Sequence, residues 1–138
     1  MISLTSKEPK FVIKAASQLK NITDPVVIQR LESTTVAFLA IGLYANLNAS
    51  WWLFFGLILI PDLSLLSYCK NRCVGSRIYN LTHNYASPLF IGLLMTVPSI
   101  PYALEITLIW TAHIAIDRSF GYGLKYPTHF KHTHLSWK

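Results

Sequence analysis

From Ser33 to Pro61 the chain carries no charged residue. That run is too long for one membrane crossing, which needs about 20 apolar residues. The polar break Asn46-Leu-Asn-Ala-Ser50 divides it in two. Helix one is expected from Pro25 or Arg30 to Asn46. Helix two is expected from Ser50 to Cys69, opening with Trp51 and Trp52, since indoles favour the membrane–water interface. Two further apolar runs follow. Helix three is expected over residues 77–97, stopping before Pro98, and helix four from about Pro101 and Tyr102 to Gly121. Ahead of all four, Phe11, Val12, Ala15, Ala16 and Leu19 recur at roughly helical spacing among lysines. Residues 8–20 therefore fit a short amphipathic surface helix, with a disordered tail as the alternative.

Composition supports the bilayer. Of 138 residues, 52% are hydrophobic and only 13% charged, against about a quarter charged in a soluble domain. A soluble fold of this size would lack the polar surface to cover itself. The net charge of +6 is unevenly placed. Lys7, Lys10, Lys14, Lys20 and Arg30 precede the first apolar run. Lys70, Arg72 and Arg77 lie in the middle, and Arg118, Lys125, Lys131 and Lys138 close the chain. The turns around 46–50 and 98–105 hold no Lys or Arg, only Glu105. Four spans place all the basic segments on one side, which the positive-inside rule assigns to the cytoplasm. The same alternation argues against nucleic acid as the partner of the basic residues.

The expected fold is thus all-α, a four-helix transmembrane bundle with N- and C-termini cytoplasmic. Residues 1–29 form a cytoplasmic or interfacial segment, 30–121 the transmembrane domain, and 122–138 a His-containing tail. No cleavable signal peptide is expected, because residues 1–20 lack a continuous apolar core. Cys69 and Cys73 are spaced Cys-x-x-x-Cys on the cytoplasmic side, where neither a disulfide nor a zinc knuckle is expected.

Ionisable groups at membrane depth are costly and each needs a reason. Here they are Asp62, His83, His113 and Asp117, accompanied by Asn80 and Asn84. Asp62 lies eight residues before Lys70, His83 six after Arg77, and His113 five before Arg118. At about 1.5 Å per residue, all three sit roughly 8–12 Å inside the cytoplasmic boundary. His113 and Asp117, at i and i+4, share a helix face, as do Asn80, His83 and Asn84. Pro61 and Pro88 each remove a backbone hydrogen bond beside these groups and are expected to bend their helices.

Two Asp and two His suit a divalent metal such as zinc, manganese or iron. Asp62, His83, His113 and Asp117 are the candidate ligands. His134, in the His132-x-His134 pair of the tail, is a candidate ligand or acid–base group. Glu32, at the cytoplasmic start of helix one, is a candidate to complete the site, and Arg118 to hold a phosphate or carboxylate. Taken singly, the residues have plainer readings. Asn80 and Asn84 suit interhelical hydrogen bonding, Asp62 a helix cap or a partner of Arg118, and the tail histidines solvent.

Several of these segments carry a resemblance. They are Arg30-Leu-Glu32, Trp51-Trp-Leu-Phe, Pro61-Asp-Leu-Ser64, Tyr79-Asn-Leu-Thr-His83, His113-Ile-Ala-Ile-Asp-Arg118 and Gly121-Tyr-Gly-Leu-Lys-Tyr-Pro127. Together they resemble a domain-of-unknown-function family, number 4260, of small bacterial membrane proteins, over residues 30 to about 135. The family's usual Asp-Thr-His-Leu tail is His132-Thr-His-Leu135 here. The resemblance implies a multi-pass protein of the bacterial cytoplasmic membrane and no particular activity. A weaker likeness is to membrane-bound metal-dependent hydrolases with Pro-Asp, Thr-His and His-x-x-x-Asp motifs on successive helices. Pro61-Asp62, Thr82-His83 and His113-x-x-x-Asp117 follow that order. The Arg-Gly before Thr-His-Ser and a second acid after Pro-Asp are missing.

The leading functional expectation is a metal-dependent membrane hydrolase acting at the cytoplasmic face on a lipid or other amphiphile. A transporter or ion-relay subunit and a non-catalytic structural membrane protein remain open beside it. The oligomeric state stays open as well.

Overall fold

The computed structural model describes residues 22–135, and the expected amphipathic helix over 8–20 lies outside them. Five α-helices and one 3-10 segment follow in order. These are α1 (Pro25–Asn46), α2 (Trp51–Leu57), the 3-10 segment (Ile60–Cys69), α3 (Arg72–Thr82), α4 (Ala86–Thr96) and α5 (Ala103–Phe120). Among the described residues no strand forms, and one isolated antiparallel bridge joins Lys125 to Thr133.

The start of α1 follows from its first residues. Asp24 accepts a hydrogen bond from the Val26 amide at 2.8 Å, and Pro25 stands at the first position, where its missing N–H costs nothing. One face of α1 carries Ser33, Ala37, Ala40 and Tyr44, all buried. These small side chains let α5 approach closely, and α5 answers with buried Ile109, Ala112 and Ala115. Tyr44 closes the far end. Its hydroxyl donates to the Ser50 carbonyl at 2.7 Å, and its ring meets Phe54 edge-on at 5.1 Å.

Helix two is not the continuous α-helix expected from 50 to 69. It changes to 3-10 geometry at Ile60, because Pro61 has no amide to bond the Leu57 carbonyl. Helix three is likewise broken, at residues 83–85. Pro88 lacks the amide that would bond Asn84, and its ring would crowd that carbonyl. The chain therefore ends α3 at Thr82 and starts α4 afresh, which places Pro88 in a first turn, where it is tolerated. The expected single span over 77–97 is thus two helices.

Among the described residues, two stretches are long and apolar enough to cross a membrane, Pro25–Asn46 with 22 residues and Trp51–Cys69 with 19. Only 17% and 11% of their most apolar windows are buried, so neither is the enclosed core helix of a soluble domain. Their outward side chains are large and apolar, with Phe38 74% and Trp52 88% exposed.

Gly121 ends α5 in left-handed geometry, φ 93°. Its amide bonds Arg118 and the Tyr122 amide bonds Asp117, at 3.0 and 2.9 Å, a helix stop that favours glycine. The chain then turns back, so residues 121–135 return across the end of α3.

Candidate metal centre

The break after Thr82 leaves carbonyls of α3 without helical partners, and each must be satisfied. The Asn84 side-chain amide donates to the carbonyls of Asn80 and Leu81, both at 2.8 Å. Its oxygen accepts the Ser87 amide at 3.0 Å, so one side chain closes α3 and opens α4. The Trp110 indole of α5 donates to the Thr82 carbonyl at 2.7 Å. Arg118 reaches the His83 carbonyl at 3.5 Å and lies over the Tyr85 ring at 4.4 Å. A cation at a helix C-terminus is favourable. These contacts fix the backbone at His83 against α5.

His83 is 3% exposed and His113 5%. Their Nε2 atoms are 3.1 Å apart. Asp62 Oδ1, from the 3-10 segment, is 3.5 Å from His83 Nε2 and 3.6 Å from His113 Nε2. Asp117 Oδ2 is 3.6 Å from His83 Nε2 and 3.8 Å from His113 Nε2. One ligand atom from each of the four lies within 4.8 Å of the others. An ideal tetrahedron with zinc bonds of about 2.0–2.2 Å has edges of about 3.3–3.6 Å. The 3.1–3.8 Å edges between the His nitrogens and their neighbours bracket that range.

The proton arrangement also fits a cation. The Nδ1 of His83 is 3.0 Å from the Tyr79 carbonyl and 2.9 Å from the Thr82 hydroxyl. A carbonyl only accepts, so Nδ1 carries the proton and Nε2 presents its lone pair to the cluster. A carbonyl holding the outer nitrogen of a ligating histidine is the usual second layer of a metal site. The Tyr79 ring stacks on His83 at 3.7 Å and 14°, and its hydroxyl donates to Asp117 Oδ2 at 3.4 Å. Two partly exposed carboxylates and a bare imidazole nitrogen thus converge with His113 beside buried rings. Such a group calls for a shared cation or for protons.

The other candidates are placed elsewhere. Asn80 holds the tail. It donates to the Lys125 carbonyl at 2.9 Å and accepts the Lys125 amide at 2.6 Å. Glu32 is exposed on α1 and does not belong to the four-residue group. His134 also stands apart from the four. Its Nδ1 accepts the Leu124 amide at 2.8 Å, and its Nε2 meets the Gln29 side chain at 3.4 Å.

Two residues at the site, Tyr79 and Lys125, had no role read from the sequence. The Lys125 ammonium is 3.6 Å from the Phe130 ring centre, 4.3 Å from Tyr79 and 5.4 Å from Tyr68. Burial lowers its pKa from the ordinary lysine value, while the charges of Asp117 and Asp62 oppose that shift. The signal was a lysine inside the Gly- and Tyr-rich run 121–127, which reads as an interfacial belt.

Fold and site together define an all-helical protein with membrane-type helices and an Asp/His cluster able to hold a metal ion. The chain belongs to the family described as "Domain of unknown function (DUF4260)", whose model matches residues 26–137. No curated protein and no solved structure matches it, and the likeness to metal-dependent hydrolases finds no support there.

Proposed function

We propose that this chain is a four-span protein of the bacterial cytoplasmic membrane, both ends inside, that binds a divalent metal and hydrolyses an amphiphile at the cytoplasmic face. The observation that carries the reading is the convergence of Asp62, His83, His113 and Asp117 within 4.8 Å from three separate elements. Burying two imidazoles beside two carboxylates in an apolar bundle is expensive, and a cation offsets that cost. The crossings are α1, the Trp51–Cys69 stretch, α3 with α4, and α5. The basic segments near Lys70 and Arg72 and after Arg118 then share the cytoplasmic side.

A bound zinc, manganese or iron ion would lower the pKa of a coordinated water and so supply hydroxide at neutral pH. The protein's own residues do the rest. His83, His113 and Asp117 would hold the ion, with Asp62 beside it. The other carboxylate accepts a proton from the attacking water. Asp62 suits that role, because its side chain is 38% exposed against 23% for Asp117. Tyr79 holds Asp117, and the Lys125 ammonium covers the Tyr79 ring at 4.3 Å.

Elemental analysis of detergent-purified protein tests the metal. About one divalent ion per chain is expected, falling sharply in His83→Ala and His113→Ala. Sub-stoichiometric metal that neither substitution changes would overturn the reading.

A further inference from the structure

An apolar groove of about 370 Å³ runs beside the four-residue cluster. Ligand pockets begin at about this size. Its lining includes Pro61 and Thr82, the residues just before Asp62 and His83, and Trp110, three before His113. Each element that supplies a cluster residue therefore also supplies a wall. Ile78 and Ile106 complete the sides. Ile60 and Ile78 are both wall residues and 51% and 40% exposed. The groove thus opens sideways onto the large apolar surface, beside outward-facing Leu63 and Leu81.

Ser64 also lines the groove, with its hydroxyl covered. Ser64 Oγ is buried and has no hydrogen-bond partner. Binding clefts are mainly apolar with a few placed polar groups. Rotation about the Ser64 Cα–Cβ bond would bring its hydroxyl into the groove, where a ligand oxygen would satisfy it.

We infer that this groove takes one alkyl chain of an amphiphile whose labile bond lies at the cluster, with the Ser64 hydroxyl donating to an oxygen near the head. The inference rests on the hydrolytic metal reading and adds where its substrate's chain binds. A water-soluble substrate would gain nothing from an apolar groove open to the hydrocarbon. A bilayer lipid enters it sideways without leaving its solvent.

The test is photolabelling in maltoside micelles with palmitate bearing a mid-chain diazirine, read by peptide mapping. Labelling of the peptides holding Ile60 and Ile78 is expected to saturate. Excess unlabelled palmitate should compete it away, while labelling around Phe38 on α1 stays unsaturable, as plain contact with detergent-phase probe does. Ile78→Trp and Ile106→Trp fill the groove from opposite walls. Each should lower the saturable labelling at least five-fold and leave zinc stoichiometry unchanged, which also shows that the variant is folded. A lysophosphatidylglycerol competitor against its two-chain counterpart distinguishes a single-chain ligand from a bilayer lipid. Unsaturable labelling at Ile78, or saturable labelling that both tryptophans leave intact, would overturn the inference. Absence of bound zinc with saturable groove labelling would instead remove the metal reading alone.

Discussion

The Nε2 atoms of His83 and His113 face each other at 3.1 Å across the junction of α3 and α5. Two bare nitrogens at that separation repel. Either His113 carries a proton there and donates it to His83, or a cation sits between the two lone pairs. The two carboxylates around them suit either arrangement, because ionised carboxylates accept an N–H and ligate a metal ion alike.

Tyr79→Phe is expected to weaken metal binding without unfolding the protein. It keeps the ring stacked on His83 and removes the hydroxyl that holds Asp117. Loss of a second-layer partner costs roughly ten- to a hundred-fold in affinity. Competition against a calibrated chelator measures it. Equal affinities in variant and wild type would show that Tyr79 does not orient the site.

Glu32→Gln should leave zinc affinity unaltered, because Glu32 is exposed and outside the cluster. The same chelator assay applies. A loss matching that of His113→Ala would mean that α1 contributes a ligand.

Asn80→Asp should release the tail almost as fully as Asn80→Ala. A carboxylate still accepts the Lys125 amide but cannot donate to the Lys125 carbonyl, and it puts a negative charge next to a backbone oxygen. Unpairing a buried group costs about 1–3 kcal/mol. Hydrogen exchange at residues 122–126 should quicken in both variants while α1 stays protected.

His134 makes the tail sensitive to acid. Burial lowers its pKa from the usual histidine value, and the nearby Arg118 charge adds to that shift. The folded state therefore favours the neutral ring, whose Nδ1 accepts the Leu124 amide. Its contribution is fully present above the free-histidine pKa, about 6.5. It fades as pH falls below that value, because the released tail takes up the proton first. Exchange at Leu124, corrected for intrinsic rates, should rise between pH 7.5 and 5.5 in the wild type. In His134→Gln it should be flat with pH.

Cys69 and Cys73 are both free and exposed, and they report topology directly. A membrane-impermeant maleimide should label them only after cells are broken. In a Cys69→Ser, Cys73→Ser background, Ser99→Cys should be labelled in intact cells. The reverse pattern would invert the orientation.

Hydropathy placed the apolar stretches, because it depends on a segment's own composition. The fourth helix stands where its apolar run stands, and α1 begins at Pro25 and ends at Asn46. Depth counting brought Asp62, His83 and His113 to one level before any contact was known. It could not tell a shared centre from three side chains facing different ways. The rotation of each helix depends on packing, here of Ala37 and Ala40 against α5, and of Trp110 on the carbonyl that the break at His83 leaves open. The break itself was half legible. Pro88 announced a lost hydrogen bond, but only the capping by Asn84 decided that a new helix, rather than a kink, would form. The return of the tail was legible only in outline, since a ligand role for His134 already required residues 122–138 to fold back. It depends on Gly121 turning the chain and on the Asn80 amide receiving Lys125 from 45 residues away. Sequence alone set where the apolar stretches lie and how far Asp62, His83 and His113 stand from the nearest basic residue. The tertiary structure decided which of them touch, because side-chain direction is a property of packed helices rather than of any one segment.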